Sequence, residues 1–507
     1  HGRVTLRNVV AVSPGRSPQA IVVMAHRDNT GAGPGANDNA SGTAALLEFA
    51  RAYSRTGPGT ARGVSPDHTI VLLSTDGGAY GALGAERFVS HSPYRGRVLA
   101  VVNLDAIAGH GQPRLELGGD GPRSPAAGLV STAAERILEQ TGHRPGRTSA
   151  LGQLVDLALP FSLYEQAPFV GRGIPALTVT TAGDRPPLPV SDTPGALDAA
   201  RLGQIGRAAE ALVASLDRGL ELAQGTGSYV YLGSRLVRGW AIELVLFAML
   251  LPAAMAAVDL FARCRRRRIP LAPAFRSYRS RLGFWLLAGA LFELFALAGA
   301  WGSGPARPLD PAGTRWPFWS LAGFLVLIAL LWHVARSRLV PRRPATPEEQ
   351  LAGTTAALVA LGVVALVVTA WNPFALVFVL PSLHFWVWLP NYRHRHVAKR
   401  AALFAGGFLG PVLLLGSFAL RFGLGLDAPW YLAKLTALGY IPLVSLVIVV
   451  AWAAVAAQVT ALFAGRYAAY PPASLRPPRG PVRSSIRAVA VAIRRRRSQE
   501  ARTAAEA

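Results

Sequence analysis

The chain has 507 residues, 51% of them hydrophobic, with one cysteine and a formal net charge of +24. A single cysteine excludes an intrachain disulfide and a cysteine-based metal site. The charge would suggest nucleic acid if it coated a folded domain, but residues 1–220 carry 20 Arg against 18 acids, and the excess sits in short loops and a tail beyond them. That distribution is a membrane-topology pattern, and no nucleic-acid partner is expected.

The chain opens on His1 rather than on an initiator Met, as a truncated or processed form would. Strand-like runs at 4–12, 20–25, 69–75, 98–104 and 176–180 alternate with helix-like stretches near 42–54, 81–90, 125–141 and 195–217. This alternation predicts an α/β domain over 1–225, a mostly parallel sheet with helices on both faces. Sites in such sheets form at the carboxyl ends of the strands, and His26, Asp76 and Asp105 each lie just past one.

A linker over 226–238 leads to an all-α region, 239–464. Its seven apolar segments, at 239–261, 281–301, 317–336, 351–371, 373–391, 401–421 and 436–464, each approach the length that spans a bilayer of roughly 30 Å. The stretch 351–391 also reads as a re-entrant pair around Asn372 and Pro373. Trp240, Trp301, Trp316, Trp319, Trp371 and Trp430 sit near segment ends, as an interfacial belt would. Arginine-rich loops (Arg263 to Arg268, Arg336 to Arg343, Arg393 to Arg400) alternate with arginine-poor ones. The positive-inside rule then places the basic loops and the tail, 465–507, in the cytoplasm, and the first domain outside the cell membrane. The tail is expected to be disordered or to lie on the anionic leaflet. Within the spans, Glu293 falls mid-segment and is expected to pair with a neighbouring polar group, Asp259 should pair with Arg263 one turn on, and Gly406 with Gly410 suits close helix packing.

The chemistry concentrates in residues 25–42, where His26, Asp28 and Asp38 stand in a Gly- and Asn-rich loop between a strand and a helix. Co-catalytic zinc sites need a carboxylate bridging two ions, further His or carboxylate ligands, and a general base. The motif Gly35-Ala36-Asn37-Asp38-Asn39-Ala40-Ser41-Gly42, about ten residues after His-x-Asp, resembles the zinc exopeptidases of metallopeptidase family twenty-eight, which include aminopeptidase S, aminopeptidase Y and glutaminyl cyclase. The appended spans resemble its endoplasmic-reticulum and vacuolar membrane members.

The resemblance implies that His26 and Asp105 bind a first zinc, that Asp38 bridges to a second, and that Asp28 orients His26. A carboxylate behind a ligating imidazole fixes its tautomer. The departures are equally specific. The family's Glu-Glu pair becomes Gly78-Ala79, which removes the general base at Gly78 and a second-zinc ligand at Ala79. Leu188 stands where the family has its late His, and no His occurs from 144 to 332. The family's Ser-Asp-His-x-Pro-Phe has become Tyr164-Glu165-Gln166-Ala167-Pro168-Phe169, which leaves Glu165 as the possible substitute acid; Glu86 is a weaker candidate, and Glu48 reads as structural.

These substitutions leave at most one zinc, weakly held on His26, Asp38 and Asp105, or none. The reading is a membrane-anchored, peptidase-like protein with impaired or lost hydrolysis. It binds a peptide or protein N-terminus in the old cleft, or scaffolds through its helices in the lipid bilayer. The alternative is an active exopeptidase with a single or atypical zinc, since three ligands and an open position are chemically sufficient. A second alternative is a transporter-like bundle with an outer lid, although the spans suggest no inverted repeat of broken helices.

Overall fold

The computed structural model describes residues 5–54, 66–219, 225–304, 311, 314–340, 344–391, 397–466 and 491. The basic tail expected over 465–507 lies almost wholly outside them.

The first domain is built on a six-stranded sheet. In chain order its elements are β1 (Val9–Ser13), β2 (Ser17–His26), α1 (Gly42–Ala52), β3 (His68–Thr75), α2 (Leu83–His91), β4 (Val98–Leu104), β5 (Arg114–Glu116), β6 (Ser124–Pro125), α3 (Ala127–Thr141), α4 (Ala150–Ala158), α5 (Ala167–Gly171), β7 (Ala176–Thr180) and α6 (Ala199–Arg218). Strand order is β1-β3-β2-β4-β7-β5. The inner strands β3, β2, β4 and β7 are parallel, and β1 and β5 add antiparallel edges. β2 is buried continuously from Ala20 to His26, as a central parallel strand covered on both faces must be. Its side chains alternate between the two layers. Ile21, Val23 and Ala25 pack beneath α1, α3 and α6. Ala20, Val22 and Met24 pack beneath α2 and α5.

Two differences from the sequence reading matter. The first strand begins at Val9 rather than near residue 4, and the short elements β5, α4 and α5 had no clear periodicity to announce them. The stretch 226–238, expected as a linker, instead carries β8 (Thr226–Gly227), β9 (Tyr229–Leu232) and β10 (Arg235–Arg238). β9 and β10 form a hairpin, and β8 pairs with β6.

The all-α region follows as α7 (Gly239–Arg266), α8 (Ala272–Leu297), α9 (Phe318–Leu339), α10 (Pro347–Trp371), α11 (Leu376–Trp388), α12 (Val397–Gly406), α13 (Leu409–Arg421), α14 (Ala428–Ala437) and α15 (Leu443–Phe463). Six helices among the described residues are long and apolar enough to cross a membrane, and α12 with α13 makes a seventh span if the pair, bent by 56°, is one. α10 is the central helix, 67% of its apolar window being buried, whereas none of the α9 window is, as for a helix facing lipid. α10 and the segment Pro373–Asn391 that contains α11 are each long and apolar enough to be a span, and the bent pair breaks between Gly406 and Leu409. The carbonyls freed there are not left bare: Ser382 Oγ donates to Gly407 O at 2.6 Å and Trp386 Nε1 to Phe404 O at 3.1 Å, which is what a break at membrane depth requires. Gly406 and Gly410 do pack closely on α11; a Cβ at Gly410 would lie 1.8 Å from Phe378 O. Asp259 pairs with Arg263 at 2.5 Å. The break has no counterpart among the described spans.

The bundle has two distinct ends. At one, Asn372 Nδ2 donates to Leu157 O and Ala158 O, Arg421 pairs with Asp156, and Tyr440 OH donates to Pro160 O, so the α/β domain sits here. At the other end Cys264 meets Thr355, Ala345 N donates to Gly465 O, and Arg400 donates to Phe463 O. Among the described residues, Arg263 to Arg268 at the end of α7 and Lys399 and Arg400 on α12 adjoin this second end.

Candidate metal centre and cleft

His26 closes β2 and is buried. Its Nδ1 lies 2.9 Å from the main-chain carbonyl of Asp28, so a proton sits on Nδ1 and Nε2 is turned into the cleft. Nε2 faces two carboxylates, at 2.9 Å from Asp38 Oδ1 and 3.5 Å from Asp105 Oδ2. Asp38 comes from the irregular turn Ala36–Ser41, and Asp105 follows β4. One ligand atom from each of the three residues lies within 4.8 Å of the others.

Asp28 behaves differently from the expectation. Its carbonyl orients the imidazole, while its carboxylate, 3.6 Å from Nδ1, accepts hydrogen bonds from Gly78 N at 2.9 Å and Ala79 N at 3.1 Å. Asp28 therefore ties the imidazole to the loop of Gly78 and Ala79. Asp76 turns away from the rim altogether and pairs with Arg27 at 3.2 Å.

The residues holding Asp38 were not legible as such. Asp192 clasps its loop, accepting from Asn37 N at 2.7 Å and Asp38 N at 2.8 Å. Asn39 bridges β4 and α1, accepting from Gly42 N and Ala106 N and donating to Leu104 O. Asp192 lies more than 150 residues from the atoms it holds, and only the Asp-Thr landmark marked it in the sequence.

The electrostatics favour a cation. Burial by itself would lower the His26 pKa, but Asp105, then Asp28 and Asp38, hold it well above the ordinary imidazole value. Burial raises Asp38, with the neighbouring Asp105 charge adding to it against His26. Burial also opposes ionisation of Asp28, yet His26 and the two loop N–H groups lower its pKa overall. Asp38 Oδ1 and Asp105 Oδ1 are buried without a hydrogen-bond partner; the former is near Nε2 but out of line for a hydrogen bond. One imidazole and two carboxylates with orphaned oxygens are a donor set for a zinc-like or harder divalent ion. These residues fit one metal.

The other half of the cleft offers little to a second. A Cβ at Gly78 would lie 2.4 Å from His26 Cβ and Cγ, so this loop packs directly on the imidazole. Ala79 lines the cleft without a ligand atom. Leu188 is half exposed, with Pro186 and Pro189 on either side of it lining the wall. Besides Asp192, whose oxygens hold the Asp38 loop, Glu165 is the remaining acid among the lining residues. It is buried, its Oε2 accepts from Thr75 Oγ1 at 2.7 Å, and its Oε1 has no partner. Burial pushes its pKa up to about 7, against the opposing pull of His26 and Thr75. The cleft is open to solvent and brings His26, Asp38, Asp105 and Glu165 to one surface. Glu86 is outside it, paired with Arg172, and Glu48 pairs with Arg51 on the surface of α1.

Residues 8–213 match the sequence profile of Peptidase family M28. Leucine aminopeptidase 1 of Trichophyton equinum is 42% identical over 71 residues, 13% of this chain and 16% of that protein. Human transferrin receptor protein 2 is 29% identical over 137 residues, 27% of this chain and 16% of that protein. The match thus spans about a sixth of these relatives' length. Among solved structures, a zinc aminopeptidase from Bacillus subtilis is similar at a TM-score of 0.32 and 23% identity, over 41% of this chain and 49% of that one. A glutaminyl cyclase from an Acidobacteriales bacterium is similar at 0.33 and 19%, over 42% and 74%.

Proposed function

We propose that the chain, whose residues 8–213 match the profile of Peptidase family M28, is a membrane-anchored member of that family that binds a peptide N-terminus in a one-metal cleft and has lost most or all hydrolysis. The observation that carries this reading is the loop at Gly78 and Ala79. It brings backbone N–H groups to Asp28 and no carboxylate to the cleft, and it lies too close to His26 to admit one. General acid–base assistance contributes about 10²–10⁴-fold to such reactions, and its loss together with a second metal's stabilisation of the tetrahedral intermediate would leave turnover near background. His26, Asp38 and Asp105 would hold the ion, which would supply Lewis-acid polarisation of a bound carbonyl. Glu165, deep in the same cleft, is placed to accept a peptide ammonium group. The relatives' names include both aminopeptidases and a receptor, so either outcome is compatible with the fold.

One observation favours a second reading, an active exopeptidase with one metal. Glu165 has an unpartnered buried oxygen and a pKa near 7, the range a general base needs. The purified full chain separates the two. The binding reading expects at most one zinc per chain and no chelator-sensitive release from aminoacyl anilides. Robust hydrolysis lost in both His26→Ala and Glu165→Gln would establish the enzyme instead. Two tightly bound zincs would overturn both.

The α/β domain is proposed to face outward and the basic end of the bundle inward. Cys264 is fully buried, so sidedness is better read from introduced cysteines at the exposed Val190 and Arg266. A membrane-impermeant thiol reagent should label Val190→Cys and spare Arg266→Cys in intact cells; the reverse would invert the topology.

A further inference from the structure

We infer that the cleft opens at the membrane–water interface and receives the free N-terminus of a polypeptide held at the bilayer surface, rather than a peptide diffusing in solution. This rests on the reading of the cleft as a peptide-terminus site and specifies which termini reach it.

Two segments form the wall opposite the metal cluster, and both are seated on the membrane bundle. In the first, Pro160 O accepts from Tyr440 OH at 3.2 Å, and the Phe161 ring lies 5.0 Å from those of Phe418 and Phe422. Leu163 packs on the same aromatic cluster and lines the cleft, two residues before Glu165. In the second, Arg185 donates to Phe422 O at 2.8 Å, immediately before the lining residue Pro186. Asp184 beside it pairs with Arg421 at 3.3 Å. The bundle is thus part of the cleft's construction.

The height of that wall is set by what surrounds α13 and α14. Trp430 on α14 packs against Trp301 and Trp316, with ring centroids 5.5 and 5.6 Å away. The indole N–H groups of Trp316 and Trp430 reach Asp427 and the Arg315 carbonyl. Trp301 and Trp430 are buried in this cluster, while Trp316, 45% exposed, and Trp319, 85% exposed, face outward as tryptophans at the interfacial layer of a bilayer do. Leu420 and Leu426, 86% and 93% exposed, flank the same turn and suit contact with lipid. The segment that carries this belt is the one that holds the cleft wall. Leu188 and Val190, 51% and 79% exposed, lie three and five residues beyond Arg185, within ~10 and ~17 Å of chain from its anchor on the bundle. An apolar rim within that reach of the belt suits the headgroup region. A terminus emerging from the bilayer would enter past Val190 toward Asp38 and Glu165 after only a short juxtamembrane stretch.

The test uses the full chain in lipid nanodiscs with a photo-crosslinking amino acid at Val190. The probes are leucyl peptides with a free N-terminus and a C-terminal palmitoyl anchor, separated by about three, about eight or about fifteen residues, so that the longest reaches ~50 Å. An unanchored peptide and N-acetylated versions complete the set. For a cleft at the interface, effective concentration falls as the −3/2 power of linker length, so the shortest anchored probe should crosslink roughly 10-fold more than the longest. Crosslinking by the longest anchored and the soluble probes but not by the shortest would overturn the interfacial placement and leave the peptide-terminus reading standing. Crosslinking indifferent to N-acetylation, or none with any probe, would overturn the peptide-terminus reading and this inference with it.

Discussion

The half of the cleft that carries His26, Asp38 and Asp105 is built wholly within the α/β domain, at the carboxyl ends of β2 and β4, whereas the facing wall is seated on α13 and α14. The first half rests on parallel-sheet backbone and a buried hydrogen-bond clasp from Asp192 and Asn39. The second rests on an interfacial ion cluster in which Arg421 meets Asp156 and Asp184, and Asp184 also meets Arg114. The three candidate ligands lie in the half with its own scaffold. Gly78 and Leu188, which bring no ligand atom to the cleft, lie on loops that close against the imidazole or run along the rim. A metal centre needs several side chains held rigidly at once, and a strand end supplies that rigidity at lower cost than a loop.

Breaking the interfacial cluster should have the largest effect. Arg421→Met leaves Asp156 and Asp184 with one cation fewer in a buried site, and such losses cost about 3–5 kcal/mol. Denaturation of the full chain in detergent should show it. Zinc affinity of His26, Asp38 and Asp105 should change by less than ~3-fold, because sites without shared partners are nearly independent. A proportionate loss of zinc binding would show that the halves are one unit.

Gly78→Glu sharpens the contrast from the other side. The added Cβ would collide with the His26 ring at 2.4 Å, so the substitution should displace the ligand and weaken zinc binding by roughly 100-fold rather than restore a base. Enhanced zinc binding with new hydrolysis, measured by calorimetry and anilide release, would mean that the loop yields. Asp192→Asn tests the clasp. It weakens two charge-assisted hydrogen bonds to the Asp38 loop, and loss of such a support should lower zinc affinity by about 10-fold and stability by ~1–2 kcal/mol.

The smallest effect concerns pH. Burial pushes Glu116 on β5 up to about 8, the Asp184 charge adding and Arg114 and Arg421 opposing. The folded chain therefore holds this proton more tightly than the unfolded one. Its contribution favours folding most below the unfolded carboxyl value of about 4.3 and is lost as pH rises to about 8. Glu116→Gln should flatten that decline and raise Tm by a few degrees above pH 8, with little change near pH 4. An unchanged slope would assign the decline to other groups.

The order of α/β elements, the apolar spans and the trio His26, Asp38 and Asp105 were all legible in the residues, because periodicity, span length and ligand chemistry are local properties. So was the absence of a ligating side chain at Gly78 and Ala79, since it is a matter of which side chains are present. Tertiary structure alone decided that Asp76 turns outward to Arg27, that Asp28 works through its carbonyl and braces the Gly78 loop, and that Asp192 holds Asp38 across more than 150 residues. It also decided that the Pro160 to Glu165 and Asp184 to Pro189 walls stand on the bundle. A carboxylate's partner is set by which distant backbone group the packing brings within 3 Å, and burial, which raises Glu165 and Glu116, exists only once the chain has closed around them.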